Sequence, residues 1–353
     1  MKLLLHLPSR TRRESLTVAL AFSAFALVSC SDTGPTQPEA VSWESPVAPS
    51  FALASNSWTA RAPLPTGRQE LTAAVVNNSA GDPILYVLGG SDVVDRPVSR
   101  VEAYNYATNR WTTKAASGAN LESNGVGVIG GKLYISGGKT EHGDGLEIHG
   151  SLVAYDPVRD VFSLKATMPR TSANGVSGVI GGRLYVLSGQ CGPDCTHSLT
   201  RRLYRYDPIT NAWDASLPWS PNAHVFGAGG VISGKFYVAG GVDASGNASA
   251  RLDVYNPATN TWKALASMPS AVVSGAGAVI NNKLYVMNGS QKTVYAYDPV
   301  TNRWTTRAPM LTARWNLAAA SLITSSGNHK ILAVGGYTTS DERGYTANEL
   351  YTP

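Results

Sequence analysis

The chain has 353 residues, 43% of them hydrophobic, with 29 Lys and Arg against 24 Asp and Glu and a formal net charge of +5. The first 29 residues hold four of those bases and one of the acids, so the remainder is close to charge balance, which argues against a nucleic-acid or anionic-membrane surface built on bulk charge. Helix signals are almost absent beyond residue 30, which directs the reading to β-structure.

Lys2, Arg10, Arg12 and Arg13 precede an uncharged stretch from Leu16 to Val28. That stretch is too short to span a bilayer and has the length of a secretory apolar region. It ends in Leu27-Val28-Ser29-Cys30, which resembles the bacterial lipobox. The resemblance implies that residues 1–29 are a lipoprotein-type signal peptide and that Cys30 is the lipidation site. An ordinary cleavage site with an incidental cysteine is the plainer alternative. Lipidation implies export and anchoring to a bacterial membrane, in the periplasm or at the cell surface, through the lipid alone. Residues 30–54 are rich in Pro, Ser and acids without periodicity and read as a flexible tether.

From residue 55 one phrase recurs. It reads YNYATNRW from Tyr104 to Trp111, YDPVRDVF from Tyr155 to Phe162, YDPITNAW from Tyr206 to Trp213, YNPATNTW from Tyr255 to Trp262 and YDPVTNRW from Tyr297 to Trp304. Asp-Pro opens a type I turn, and the later Asn tolerates the left-handed conformation that returns the chain antiparallel. Tyr closes one strand and Trp opens the next. Upstream of each phrase stands an apolar strand ending in small residues, among them LYVLGG (85–90), LYISGG (133–138), LYVLSG (184–189), FYVAGG (236–241), LYVMNG (284–289) and ILAVGG (331–336). Before that comes a strand rich in Gly and Ala, such as Gly125 to Ile129. Each unit is therefore four strands. The chain ends at Tyr351-Thr352-Pro353, three residues into a sixth phrase, and Ala54 to Trp58 supplies the rest.

The anchors at 58, 111, 162, 213, 262 and 304 lie 53, 51, 51, 49 and 42 residues apart. A period of roughly 50 with a double glycine resembles the Kelch repeat family over residues 55–353. The resemblance implies an all-β, six-bladed β-propeller whose last blade is closed by the N-terminal strand. Phe162 in place of Trp, Ser188-Gly189 and Asn288-Gly289 in place of Gly-Gly, and Tyr106 in place of Pro depart from the pattern.

Cys191 and Cys195 lie close together in one loop, and an exported chain oxidises such a pair, so a local disulfide is expected. A zinc site with His197 falls short of four ligands. The loop from Lys139 to His149 collects two His and three carboxylates and reads as solvated rather than metal-binding, so neither a metal nor a cofactor is expected.

No catalytic signature is present. Propellers bind at one mouth of the channel, where the segments entering the innermost strands meet those leaving the glycine pairs. Register arithmetic puts Arg68, His224 and Arg314 at one level of that mouth, and Glu70, Phe226, Asn316, Asn174 and Ser123 two residues further on. Glu122, Asn124 and Trp315 are their neighbours. Arg for a carboxylate, Asn and Glu for hydroxyls and Trp for a sugar face would suit a polar ligand. Arg68 and Arg314 have a second reading as salt bridges between blades. The resemblance implies a non-catalytic scaffold for a protein or glycan ligand at the mouth. The alternative is a sugar-acid mutarotase or epimerase, similar to the six-bladed Kelch sialic-acid mutarotases, using Arg68, Arg314, Glu70 and Glu122. A copper radical oxidase needs a Cys crosslinked to Tyr and seven blades, and is rejected.

Overall fold

A computed structural model describes residues 55–92, 96–115, 122, 125–142, 145–192, 199–338 and 346–353. Six four-stranded antiparallel sheets form the blades of a propeller. The first blade is Thr72–Asn77, Pro83–Leu88, Glu102–Asn105 and Arg110–Thr113, from the axis outward. The second is Gly125–Ile129, Lys132–Ser136, Leu152–Asp156 and Val161–Leu164. The third is Val176–Ile180, Arg183–Leu187, Leu203–Asp207 and Ala212–Asp214. The fourth is Ala228–Ile232, Lys235–Ala239, Leu252–Asn256 and Thr261–Leu265. The fifth is Ala276–Ile280, Lys283–Met287, Val294–Asp298 and Arg303–Arg307.

The sixth blade joins the two ends of the chain. Ala318–Ile323, His329–Val334 and Asn348–Thr352 are completed on the outside by Ser57–Ala60, with Ser57 opposite Thr352 and Trp58 opposite Tyr351. The expected closure is therefore present. Six apolar clusters fill the six interfaces between neighbouring blades. One of them joins Leu71, Ala73 and Leu85 of the first blade to Ala320, Leu332 and Leu350 of the sixth. Each blade is thus covered on both faces, which is why its second strand reads as an unbroken apolar run and not an alternation; Pro83–Leu88 is buried throughout.

The recurring phrase is explained by its contacts. Tyr and the following aromatic ring stack at 5.1 Å for Tyr104–Trp111, Tyr297–Trp304 and Trp58–Tyr351. The Tyr297 hydroxyl donates to Asn302 Oδ1 at 2.8 Å, and the same oxygen accepts the Ala266 amide of the fourth-to-fifth-blade linker at 3.0 Å. Asn302 itself sits at φ 53°, as do its counterparts at 51–55° in the other Asn-bearing copies, so this side chain combines turn geometry with an inter-blade bond. Trp304 Nε1 adds a bond to Ala266 O at 2.7 Å. Phe162 gives up that bond and keeps its ring contact with Tyr155 at 4.7 Å.

The glycines of the innermost strands let adjacent innermost strands approach closely around the axis. A Cβ on Gly127 would lie 2.5 Å from Val179 Cγ2 of the next blade, and one on Gly230 would lie 2.5 Å from Val279 Cγ2.

Candidate functional site

Strand direction sets the two faces. Every innermost strand starts at the mouth, so the connections from second to third strand are also there, and the turns between first and second and between third and fourth strands lie at the opposite face. Two residues before the innermost strands of the first and the third to sixth blades the chain takes a left-handed step. Glu70, Asn174, Phe226, Ser274 and Asn316 have φ between 53° and 60° although none is glycine. Their backbones are linked in a belt: Glu70 N–H donates to Asn316 O, Asn316 to Ser274, Ser274 to Phe226 and Phe226 to Asn174, at 2.9 to 3.0 Å. The belt holds one residue from each of these five blades in register around the axis in the strained conformation.

Two residues earlier stand Arg68, His224 and Arg314. All three are buried inside their own blades, at 0%, 1% and 0% exposure. Arg68 forms an ion pair with Glu102, donates to the Arg100 carbonyl at 2.7 Å and sits 3.3 Å from that of Gly89. Arg314 pairs with Glu349 at 2.5 Å and donates to Ala333 O at 3.0 Å. His224 faces acceptors with both ring nitrogens, Gly240 O at 2.8 Å and Asp253 Oδ2 at 2.9 Å. Burial pulls both guanidinium pKa values down, and the facing carboxylates oppose it. These residues do not line the mouth recess. Their pairs lie within a blade, from the entry of its first strand to its third strand, so the expectation of blade-to-blade bridges is corrected as well. The link between blades at this level is made by main chain: Gly336 N–H donates to Arg68 O at 2.9 Å, and Gly138 and Gly241 donate to Ser172 O and Val272 O at 2.7 Å. A Cβ on Gly137 would lie 2.1 Å from Ser172 O, which accounts for a small residue there.

Glu70 and Glu122 are joined by a residue that sequence reasoning passed over. Lys139, directly after the second blade's glycine pair, places Nζ 2.9 Å from Glu70 Oε2 and 3.9 Å from Glu122 Oε2, tying the first blade to the second. Asn316 Nδ2 lies 3.3 Å from Glu70 Oε1, and Asn174 Nδ2 donates to Gln190 Oε1 at 2.9 Å. Glu70, Asn174, Phe226, Ser274 and Asn316, with the residues that follow them, line a recess of about 100 Å³. Trp315 stands outside it, against Tyr337 at 6.1 Å. The recess is well below the roughly 300–1,000 Å³ of small-molecule sites. With both guanidinium groups engaged by Glu102 and Glu349, the clamp that the sugar-acid reading required is not assembled at the mouth.

Asn124, Cys30 and Cys195 lie outside the described residues, as do the signal peptide and the tether. Cys191 is buried and disulfide-bonded. In the Lys139 to His149 segment a hairpin forms, Lys139–His142 against Gly145–Ile148, and His149 Nε2 lies 2.9 Å from Thr140 Oγ1. Among the described residues no group of three or more His, Cys, Asp or Glu is arranged to hold a metal ion.

The Kelch motif model matches residues 75–116, 172–215, 225–269 and 273–311, each within one blade or reaching into its linker. The chain belongs to the Kelch repeat family. This Kelch propeller is 27% identical to Kelch-like protein 25 of Xenopus tropicalis over 226 residues, covering 61% of this chain and 35% of the relative. It is 27% identical to Kelch-like protein 15 of Danio rerio over 258 residues, covering 65% and 41%. It thus spans less than half the length of these relatives. A solved structure described as that of YjhT superposes with a TM-score of 0.60 at 16% identity, over 79% of this chain and 97% of that one, a likeness of fold.

Proposed function

We propose that the protein is a non-catalytic scaffold that holds a protein partner on the mouth face of its propeller, exported and lipid-anchored through Cys30. The contrast between the two faces carries this reading. At the opposite face the first-to-second-strand connections of the second to fifth blades are only Gly130-Gly131, Gly181-Gly182, Ser233-Gly234 and Asn281-Asn282. At the mouth the second-to-third-strand connections run from Ser136 to Leu152 in the second blade, hairpin included, but only from Met287 to Val294 in the fifth. A fixed ring that varies its connections at one end is the construction of a recognition surface. An exposed anchor of the kind that dominates interfaces stands at that end, Trp219 at 52% exposure with the Arg202 guanidinium 4.3 Å from its ring, and Leu146 is exposed at the same end. Kelch propellers typically serve as protein-binding scaffolds, which supports the same conclusion.

Photo-crosslinking residues at Leu146 and Trp219 should give a discrete adduct in the native cell. The same group at Ile209 and Val300, exposed on opposite-face turns, should not. Stronger adducts from Ile209 and Val300 would overturn the assignment. Labelled fatty acid should enter the wild-type chain and not Cys30→Ser; equal labelling removes the anchor from the proposal.

A further inference from the structure

The third and fourth blades carry more base than acid. From Val176 to Leu265 the sequence holds seven Lys and Arg against five Asp and no Glu. Asp194 lies outside the described residues, and the other four acids are engaged. Asp207 pairs with Arg183 and Asp214 with Arg205, Asp253 is buried against His224, and Asp243 accepts the amides of its own turn at Ser245 and Asn247. Among the described residues no carboxylate pairs with Arg201, Arg202 or Arg251. Arg202 and Arg251 hold the same place in neighbouring blades, two residues before Tyr204 and Asp253, which face Val186 and Val238. Both therefore stand at the mouth side, outside the central recess. Arg202 is held ready there. Its guanidinium lies 4.3 Å from the centroid of the Trp219 ring, and none of its N–H groups has an acceptor among the described residues. Stacking fixes the plane of the group and leaves the N–H fork at its edge open. The main chain of Trp219 is fixed in turn. Leu217 and Ser220 are buried on either side of it, the Ser220 amide donates to Arg201 O at 2.9 Å, and Arg201 Nη1 donates to Pro221 O at 2.9 Å.

We propose that the shoulder formed by Arg201, Arg202, Arg251 and Trp219 docks an acidic segment of the protein partner. One Asp or Glu carboxylate lies in the plane of the Arg202 fork, an apolar neighbour of it covers the open part of the indole, and Arg201 and Arg251 draw further carboxylates to the same shoulder. Charge complementarity selects this occupant, because a neutral or basic segment leaves the three guanidinium groups unmatched. The proposal rests on the scaffold reading and names the chemistry of what the scaffold holds, but the shoulder is tested first without any partner.

The test follows the Arg202 Nε–H and Trp219 Nε1–H resonances of the folded chain at low salt during titration with acetyl-Gly-Glu-Gly-Glu-Gly amide, with the Gln and Lys versions of the peptide as controls. Saturating shifts of both resonances are expected with the Glu peptide alone, and added salt should weaken them. Arg202→Gln should weaken binding about tenfold, the scale of one charge-assisted bond. Trp219→Ala should weaken it about two- to fivefold and Trp219→Phe less, since Phe keeps a ring under the guanidinium. Arg110→Gln, exposed on the outer strand of the first blade, should leave it unchanged. Unchanged denaturation midpoints confirm that the variants are folded. Equal binding of the Gln peptide, no saturating shift, or an unaltered dissociation constant in folded Arg202→Gln overturns the proposal. So does sedimentation with phosphatidylglycerol vesicles that depends on Arg202 while the Glu peptide does not bind. In the native cell a photo-crosslinker at the exposed Ala248 should join a partner peptide with at least two Asp or Glu. An adduct to a neutral or basic peptide, or to residues 30–54 of this chain, overturns the assignment to an acidic partner. Glu-peptide binding without any mouth-face adduct would sink the scaffold reading and leave an acid-binding shoulder, whereas mouth-face adducts without Glu-peptide binding would do the reverse.

Discussion

Removing one member of a buried brace should harm the propeller far more than removing both. Arg68 and Glu102 are fully buried, and Glu102 also accepts the Thr66 hydroxyl at 2.9 Å. Glu102→Val leaves the Arg68 guanidinium without its counter-charge, a situation that costs about 3–5 kcal/mol, with about 1 kcal/mol more for the lost hydroxyl bond. The sequence offers an apolar pair to copy. The second blade carries Leu121 and Val153 at the corresponding positions. Arg68→Leu combined with Glu102→Val copies it and gives up the Arg68 bond to Arg100 O and the longer contact with Gly89 O, so it should cost only about 1–2 kcal/mol. Guanidinium denaturation curves of wild type, the single and the double variant, compared at equal m, give the three values. A Glu102→Val variant that loses under about 1 kcal/mol, or a double variant no more stable than the single, refutes the brace.

Three further outcomes follow from the turns and the stacked aromatics. Burial, reinforced by neighbouring Tyr and Asp groups, pushes the Tyr206 and Tyr297 hydroxyls up to about 12, and Tyr351 is raised to about 12 chiefly by burial. The folded state thus holds these protons more tightly than the unfolded chain. Their contribution is complete below pH 10 and is lost between pH 10 and about 12, which ultraviolet titration and alkaline unfolding should report together. The turn carboxylates run the other way. Bonds from Lys283 and the Val300 amide hold Asp298 below its ordinary value, so its contribution is present above that value and declines as pH falls through the lowered one; carboxyl-detected NMR should find Asp298 titrating below 3.8. Asn302→Ala should cost about 3 kcal/mol, from a left-handed Ala and the loss of the Tyr297 and Ala266 bonds, whereas Asn302→Gly should cost less; equal effects would dissociate φ from the phenotype.

Much of the fold was legible because repetition exposes it. Five intact phrases set the turn chemistry, and the split sixth at Tyr351 to Pro353 and Ala54 to Trp58 announced the closure. The mouth was legible only as a level. Counting placed Glu70, Asn174 and Asn316 in register, and the recess contains them. It also placed Arg68, His224 and Arg314 at one level, but could not show which way they point. A signal for that was present and unused. Arg68, His224 and Arg314 coincide with Glu102, Asp253 and Glu349 on the third strands, while Leu121, Ser172 and Val272 coincide with Val153, Tyr204 and Tyr295. A base appears only where its blade supplies an acid. Lys139 left no such trace, because Glu70, the partner it holds at 2.9 Å, lies on the first blade, which only the assembled ring brings beside it.

The join between Ser57–Ala60 and Asn348–Thr352 also sets a schedule for synthesis. In chain order one partner precedes the other by about 290 residues. At about 5–20 residues per second the interval between them is roughly 15–60 s. Throughout it Trp58, Leu71 and Leu85 lack the part of their cover that Leu350 and Tyr351 supply. The wheel therefore cannot mature gradually from its start. A nascent-chain chaperone that shields this early apolar seam should raise its yield, and a shortage of one should make the unsealed chain aggregate.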